Sequence, residues 1–390
     1  MAQKEPVWLK ILRIALGLLF LFSSISKAVD PVNFGITMND YFVSFGMGFL
    51  KPVALIAGVA AITCEFVLGC MMLLRVRVNL AAWGYLLFMT FFFFLTLWLA
   101  VAEYMEIKGI HYFGVVHDCG CFGQVVKMSN MTTFLKNVVI IIPTLIVFAK
   151  RKKIPDIRLT QLGQWCCVAI FIAIAVAFQL YCIRHLPAID FSDWKKGNDV
   201  VKAFIEQPAK KESSFIYRNK ADGSEVTLSE TELMEKDMAF YDNYDYVDRK
   251  DKEIAPGVKA EIDGFNMLDE NGADHAYEYI NTDGKVYILF IHDLKEVKTK
   301  GLDNVRALVT DCDKRDIPFV AVTNSDEEEL AAFIDKHQID FPIYRNPIDP
   351  AHGPFMVRDA IRSNPGLIFI DKGVVVDKWG WRDIPQQCLD

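Results

Sequence analysis

The sequence predicts an α-helical membrane bundle followed by a soluble α/β domain. Five long apolar runs lie in the first half of the 390 residues, basic clusters flank them on alternate turns, and short apolar strands alternate with helices after residue 260. The hydrophobic content of 52% and the mean hydropathy of +0.22 are high for a soluble protein, and the excess lies almost entirely in the first half. A chain of this length has room for two or three domains. The net charge of −7 and the lack of a basic patch interleaved with aromatic residues argue against a nucleic-acid partner.

Each apolar run is long enough to span a bilayer, whose hydrocarbon core of about 30 Å takes roughly 20 helical residues. A cleaved signal peptide competes for the first run, but no convincing small-x-small cleavage site precedes Lys27, and further apolar runs follow. Residues 30–49 mix polar and aromatic side chains and are expected to form an interfacial loop or a short amphipathic helix. The predicted spans are Val7–Ile25, Pro52–Leu74, Leu80–Val101, Phe134–Phe148 and Gly163–Ile183.

Three groups of basic residues predict the orientation of the helices. Alternation across five spans places all three groups on one side, which the positive-inside rule assigns to the cytoplasm. The loop from Glu103 to Met131 and everything after Ile183 then lie outside a bacterial cytoplasmic (inner) membrane, on its periplasmic face. The groups are Lys4, Lys10 and Arg13, then Arg75 and Arg77, then Lys150 to Lys153.

The outer loop carries the stretch His117-Asp118-Cys119-Gly120-Cys121-Phe122-Gly123. Two thiols separated by one glycine close a small, strained ring when they join, so their disulfide is expected to be oxidising and easily reduced. We therefore interpret Cys119 and Cys121 as a redox pair in a compartment where disulfides persist. A protonated His117 favours the thiolate, while Asp118 opposes it.

Two alternatives compete with the redox interpretation. A zinc site would use His111 and His117 with both thiols, although this spacing is not one of the usual zinc knuckles. A glycine-rich turn with two unpaired cysteines is the other. Cys182, at the outer end of the fifth span, is a hypothetical third thiol in exchange with the pair.

Glu65 is a carboxylate inside the second predicted span. Such residues are costly in a bilayer and usually face the bundle interior with a partner. We expect a helix-packing bond to Ser23, Ser24 or Thr63, and a proton or polar-network site is the functional alternative. No glycine-rich nucleotide loop and no haem-attachment motif is present, so neither a bound cofactor nor a metal is expected.

The membrane half resembles a known superfamily. Arg13-x-x-x-Gly17 with Ser26-Lys27-Ala28-Val29-Asp30-Pro31, and then Glu65-x-x-x-Gly69, resemble the first two helices of the DoxX superfamily. The loop 118–123 is similar to that of its MauE-like members, which are associated with methylamine utilisation and thiol redox. The resemblance covers residues 7–150 and implies a four-helix core, to which the fifth helix is an addition.

The second half begins with a charged region, 190–257, to which the sequence assigns no function. After it, strands are predicted at 286–291, 319–322, 366–370 and 373–378, with helices at 304–315 and 326–337. This order resembles a thioredoxin-like domain of the TlpA type over residues 258–384, with Phe265–Gly272 as the opening strand. By that resemblance, Pro365 in Asn364-Pro365-Gly366 occupies the position of the fold's cis-proline.

The departure from that family is informative. Its Cys-x-x-Cys should follow the strand ending at Ile291, where this chain reads His292-Asp293-Leu294-Lys295-Glu296-Val297. The domain therefore lacks the usual dithiol, and a partner-binding role is predicted beside Pro365, with His292 as a further candidate. The predicted domains are 1–150 (four-helix membrane domain), 151–189 (basic turn and fifth helix), 190–257 (connecting region) and 258–390 (thioredoxin-like domain).

Two functions follow from these expectations. The first is extracytoplasmic thiol–disulfide redox through Cys119 and Cys121, with the outer domain binding an extracytoplasmic or membrane protein. The alternative is a non-enzymatic assembly or scaffold subunit whose outer domain is an interaction module. A transporter is a weaker third option, because no inverted repeat or broken helix pair is visible.

Overall fold

The protein was analysed as a computed structural model, which describes residues 5–110, 116, 120, 123, 128–206, 210–255, 257, 260–347 and 355–389. Five helices in this part of the chain are long and apolar enough to cross a membrane, as predicted. They are α1 (Val7–Ala28), α3 (Ala54–Leu74), α4 (Val78–Ile107), α5 (Asn130–Lys150) and α6 (Gln161–Arg184). A further helix, α2 (Pro31–Ser44), follows α1, and 3₁₀ turns lie at Gly48–Val53 and Arg151–Lys153.

Close approach of α1 and α3 forms the centre of the bundle. A Cβ added to Gly17 would lie 3.2 Å from Leu73, and one added to Gly69 would lie 3.0 Å from Leu21. The two glycines therefore let the helices touch at the backbone, which explains the spacing noted in the sequence. Arg13 is 3% exposed and donates to the carbonyls of Met72 and Leu73, at 2.6 and 2.8 Å. The positive guanidinium of Arg13 thus stabilises the C-terminal end of α3, where the helix dipole is negative.

The helix α2 confirms the prediction for residues 30–49. Asp30 caps its first turn by accepting a bond from the Asn33 amide at 3.0 Å, and Pro31 follows at the position where a missing N–H costs nothing. Gly35 and Gly58 allow α2 to pack closely on the N-terminal part of α3. The helix therefore covers the end of the bundle at which α1 ends and α3 begins.

We name the C-terminal half the outer half, and its folded domain the outer domain, after the side of the membrane that the sequence predicts for it. It contains a five-stranded mixed sheet in the order β6-β5-β4-β7-β8. Strand β4 pairs parallel with β5 and antiparallel with β7, and β5 pairs parallel with β6. The strands are β4 (Lys285–Ile291), β5 (Phe319–Thr323), β6 (Ile343–Arg345), β7 (Gly366–Asp371) and β8 (Val374–Gly380). The helices of this half are α7 (Val200–Phe204), α8 (Glu230–Met234), α9 (Met238–Asn243), α10 (Ala276–Ile280), α11 (Thr299–Lys314), α12 (Glu327–His337) and α13 (Phe355–Ala360).

Apolar side chains cover both faces of this sheet. One core contains Trp194, Phe265 and Val357, while the other contains Leu302, Leu308 and Phe333. Every residue of β4 from Val286 to Ile291 is buried, as expected of a central strand.

The strands and helices predicted between residues 286 and 378 are confirmed, because each corresponds to a strand or helix of the structure with similar bounds.

The opening strand predicted at Phe265–Gly272 is wrong. Only Leu268 forms a bridge, exchanging two backbone bonds with Arg345 at 2.8 and 2.9 Å. The chain then turns, because the Asp269 carboxylate accepts the amides of Asn271 and Ala273. Phe265 and Met267 are buried, so the apolar pattern reflects packing rather than pairing.

A second, antiparallel sheet lies between α7 and the five-stranded sheet along the chain. Its order is β2-β1-β3, with β1 (Lys210–Asn219), β2 (Glu225–Ser229) and β3 (Tyr244–Ala255). A turn at Asn219–Ser224 joins β1 to β2. Tyr246 in β3 is exposed.

Candidate functional site

Cys119, Cys121 and His117 lie outside the described residues, as does His111, but two glycines of their loop are described. Both have positive φ, 64° at Gly120 and 55° at Gly123, and the Gly123 amide donates to the Gly120 carbonyl at 3.0 Å. A Cβ on Gly120 would lie 3.3 Å from Thr37 of α2. A Cβ on Gly123 would lie 2.8 Å from the Ser26 carbonyl oxygen of α1. The residue between the two cysteines therefore contacts α2, and the turn after it contacts the last residues of α1.

The Val116 end of the loop is also fixed. Val116 is 8% exposed, and its carbonyl accepts a bond from the Asn130 side chain at 2.9 Å. Asn130 begins α5 and is fully buried. These contacts hold the two ends of the loop to the helices that flank it.

Glu65 forms a buried ion pair with Lys27. The Lys27 Nζ and a Glu65 carboxylate oxygen are 2.5 Å apart, and the two side chains are 4% and 5% exposed. The sequence did not predict this cation, which reaches Glu65 because Lys27 lies in the last turn of α1 opposite the middle of α3. Ser24 instead donates to the Leu21 carbonyl, and Thr63 accepts a bond from Gln179 of α6 at 3.0 Å. The expected helix-packing role stays the simplest account of Glu65.

This ion pair lies close to the cysteine loop. A Cβ on Gly123 would be 3.5 Å from the Lys27 Cα. The described part of the loop therefore reaches the level of Lys27.

An ion pair joins the bundle to the outer half. The Arg362 guanidinium donates to the Asp30 carboxylate at 2.9 Å, and both side chains are mostly buried. Arg362 also reaches the Asn33 side chain at 3.4 Å and the Asp359 carboxylate at 2.8 Å. These contacts bring the outer domain against the first turn of α2.

A cavity of about 1540 Å³ lies at this junction. Asp30, Thr37 and Asp40 line it from the bundle, and Arg362 and Lys378 line it from the outer domain. Its volume exceeds the roughly 300–1,000 Å³ of most small-molecule sites. Because Thr37 also contacts Gly120, the cysteine loop meets the wall of this cavity.

Cys182 lies in the last turn of α6 and is 3% exposed. This places it at the C-terminal end of the helix, and the side of the membrane predicted for that end stays a prediction. Its thiol is covered in this structure, and its proposed exchange with the pair stays a prediction.

The Asn364–Pro365 peptide bond is cis, as predicted. Pro365 is buried, and the start of α11 lies over it, because a Cβ on Gly301 would come within 3.3 Å of the proline ring. A partner at this surface would therefore meet the residues around Pro365 rather than the ring itself.

His292 is held in place beside the cis bond rather than solvated. Its Nε2 donates to the Ile361 carbonyl at 2.6 Å, and its backbone amide donates to the Asn364 side chain at 3.0 Å. Asn364 in turn donates to the Asp293 carbonyl at 2.8 Å. Burial, with the nearby Arg358 charge, lowers the pKa of His292 to about 3, so the ring is neutral at pH 7. His292 therefore orders the segment that follows β4.

Residues 6–150 match the family described as Methylamine utilisation protein MauE. This part of the chain is similar to MauE. The MauE-like region contains the spanning helices α1, α3, α4 and α5, the Lys27–Glu65 pair and the whole cysteine loop, whereas α6 and the outer half lie beyond it. No curated protein and no solved structure matches the chain.

No metal site is found among the described residues, where no three His, Cys, Asp or Glu side chains cluster suitably. The zinc alternative concerns residues outside that part of the chain and stays untested. Sequence reasoning missed Lys27, Asp30 and Arg362, although a lysine and an aspartate flanking the end of an apolar run were a usable signal.

Proposed function

We propose that this multi-pass membrane protein takes part in extracytoplasmic thiol–disulfide exchange through Cys119 and Cys121. The membrane would be the bacterial cytoplasmic membrane, with the C-terminal half on the periplasmic side. The observation that carries the proposal is the contact of Gly120 with Thr37 on the wall of the junction cavity. Val116 of the same loop lines this cavity, whose volume is large enough for a segment of a partner protein.

The exchange requires a partner that brings two thiols. A partner thiolate attacks the Cys119–Cys121 disulfide and forms a mixed disulfide, and the partner's second thiol then displaces the chain's sulfur. The partner loses two electrons and two protons and gains a disulfide, while the Cys119–Cys121 pair is left as a dithiol. The expected strain of the small ring favours this direction.

The outer domain is proposed to be thioredoxin-like and to bind the partner. Its strand order, with a central parallel pair and an antiparallel β7–β8 hairpin, supports the likeness, as does the cis-proline that precedes β7. The segment after β4 has His292 where the family has its dithiol, and His292 is engaged in hydrogen bonds. The domain therefore supplies a surface, and the sulfur chemistry is assigned to the membrane loop.

The test replaces both loop cysteines with serine and maps the redox state of extracytoplasmic proteins by alkylation and mass spectrometry. The matched control replaces Cys166 and Cys167, an adjacent pair in the apolar part of α6. We expect at least one partner to shift its thiol–disulfide ratio only in the Cys119/Cys121 variant. An unchanged redox state of every extracytoplasmic protein would contradict the proposal.

A non-enzymatic assembly subunit is the second candidate. The missing Cys-x-x-Cys favours it, and so does the exposed apolar surface of the three-stranded sheet region at Met234, Met238 and Tyr246. Affinity capture from solubilised membranes separates the two candidates. Partners that are retained by the serine variant, together with an unchanged redox profile, would favour the assembly role.

A further inference from the structure

The two cysteines of the five-stranded-sheet domain lie next to each other, although 76 residues separate them in the sequence. Cys312 is in the last turns of α11, and Cys388 is near the end of the chain. Their sulfur atoms are 3.1 Å apart. Both are in the same apolar core and are 0% and 6% exposed, so no solvent separates the two thiols.

The backbone around Cys388 is fixed in this position. The Cys388 amide donates to the Asp311 carboxylate at 2.9 Å, and the Leu389 amide donates to the Tyr287 hydroxyl at 2.9 Å. The Gln386 side chain donates to the Asn304 side chain at 2.9 Å. The C-terminal tail, residues 381–389, is thus attached to α11 and β4 by contacts that do not involve sulfur.

From this geometry we infer that Cys312 and Cys388 form a structural disulfide that ties the C-terminal tail to α11. Closing the pair moves the sulfurs together by only about 1 Å, since a disulfide bond is about 2.05 Å long and the present separation is 3.1 Å. Two S–H bonds break and one S–S bond forms. The two electrons and two protons go to an organic disulfide, RSSR, which leaves as two RSH molecules. The inference uses the extracytoplasmic location proposed for this half, where such bonds persist.

The surroundings favour a bond that is retained rather than exchanged. Burial raises the pKa of both thiols, and the Asp311 carboxylate adds to the effect on Cys312. Attack on a disulfide requires a thiolate with access to the sulfur, and both sulfurs are covered. The Cys312–Cys388 bond is therefore structural, whereas the bond proposed at Cys119 and Cys121 is exchangeable. Its role is to hold residues 381–389 against α11.

The experiment quenches intact cells in alkylating agent, denatures the full-length protein without reductant, digests it and maps the cysteines by mass spectrometry. We expect the Cys312 and Cys388 peptides to be joined and to be lighter than the two thiol peptides by two hydrogen atoms. Recovery of both cysteines as separately alkylated peptides would overturn the inference. The peptides that report on Cys119 and Cys121 are different ones, so failure of the redox proposal is scored independently.

A second measurement is thermal unfolding of the outer domain within the detergent-solubilised full-length protein, with and without a phosphine reductant. The reductant should lower the unfolding midpoint of the unaltered protein by on the order of 10 °C, because the bond closes a long loop. It should have no such effect on Cys388→Ser, which lacks the bond, whereas Cys166→Ser should behave like the unaltered protein. Equal responses in the unaltered protein and Cys388→Ser would contradict the inference.

Discussion

Breaking the Lys27–Glu65 pair should destabilise the membrane bundle strongly. In Lys27→Met, the Glu65 carboxylate stays about 5% exposed with no cation beside it. Removing one partner of a buried ion pair typically costs about 3–5 kcal/mol, whereas removing both charges is often close to neutral. We therefore expect Lys27→Met to lower the free energy of unfolding by about 3 kcal/mol or more. The double variant Lys27→Met/Glu65→Gln should recover most of that stability.

The measurement is unfolding in detergent micelles, followed by circular dichroism, for both single variants, the double variant and a control. Lys10→Met is the matched control because Lys10 is an exposed lysine on the same helix. This control should change the free energy of unfolding by no more than about 0.5 kcal/mol. The coupling free energy of the double-mutant cycle isolates the pair. A Lys27→Met variant no less stable than Lys10→Met, or additive losses in the double variant, would refute the reasoning.

Three further predictions concern the junction, the histidine and the loop. Arg362→Ala removes the ion pair with Asp30 and should open the junction between the bundle and the outer domain. The buried thiol of Cys182 should then react about tenfold faster with a maleimide, which corresponds to a loss of roughly 1.4 kcal/mol in the free energy that keeps the junction closed. His292 has a folded-state pKa of about 3 against an ordinary value of 6.5, so its contribution to stability is complete above pH 6.5 and is lost as the pH falls toward 3. The free energy of unfolding should fall by about 2–4 kcal/mol over this pH range, after allowance for solvent screening at the partly exposed ring. His292→Gln should flatten the dependence of stability on pH between 6.5 and 3. Gly123→Ala brings a Cβ against the Ser26 carbonyl and should change the alkylation rate of the neighbouring cysteines severalfold.

Each of these has its own contradicting result. Unchanged Cys182 labelling in Arg362→Ala would show that the ion pair does not hold the junction closed. Identical pH profiles for the native protein and His292→Gln would remove the histidine from the acid dependence. Gly109→Ala is the control for the loop, because Gly109 also has positive φ but has open space around it. Equal effects of the two alanines would assign the change to backbone strain and not to the contact with α1.

The membrane helices could be predicted from the sequence because each is specified by a single uninterrupted apolar run. The α/β sheet was predictable for the same reason, since its central strand is apolar along its length. These features depend on local sequence alone.

The ion pairs that define the candidate site were not predictable, because each joins residues far apart in the chain. Lys27 and Glu65 belong to different helices, and Asp30 and Arg362 belong to different halves of the protein. The three-stranded sheet was missed because charged residues lie on both faces of β3, so no alternation of polar and apolar residues marks the strand. The opening strand was overestimated because Phe265 and Met267 are apolar for packing on the core.

The most direct test of the central claim is the thiol state of Cys119 and Cys121 in intact cells. Cells are treated with a membrane-impermeant maleimide, then denatured, reduced and labelled with a second maleimide of different mass before the peptide is mapped. The redox proposal predicts a mixture in which a fraction of the pair is protected as a disulfide, and this fraction should fall when a reductant is added to the medium. A pair that is wholly reduced and unreactive toward the impermeant reagent would place the loop in the cytosol and contradict the account.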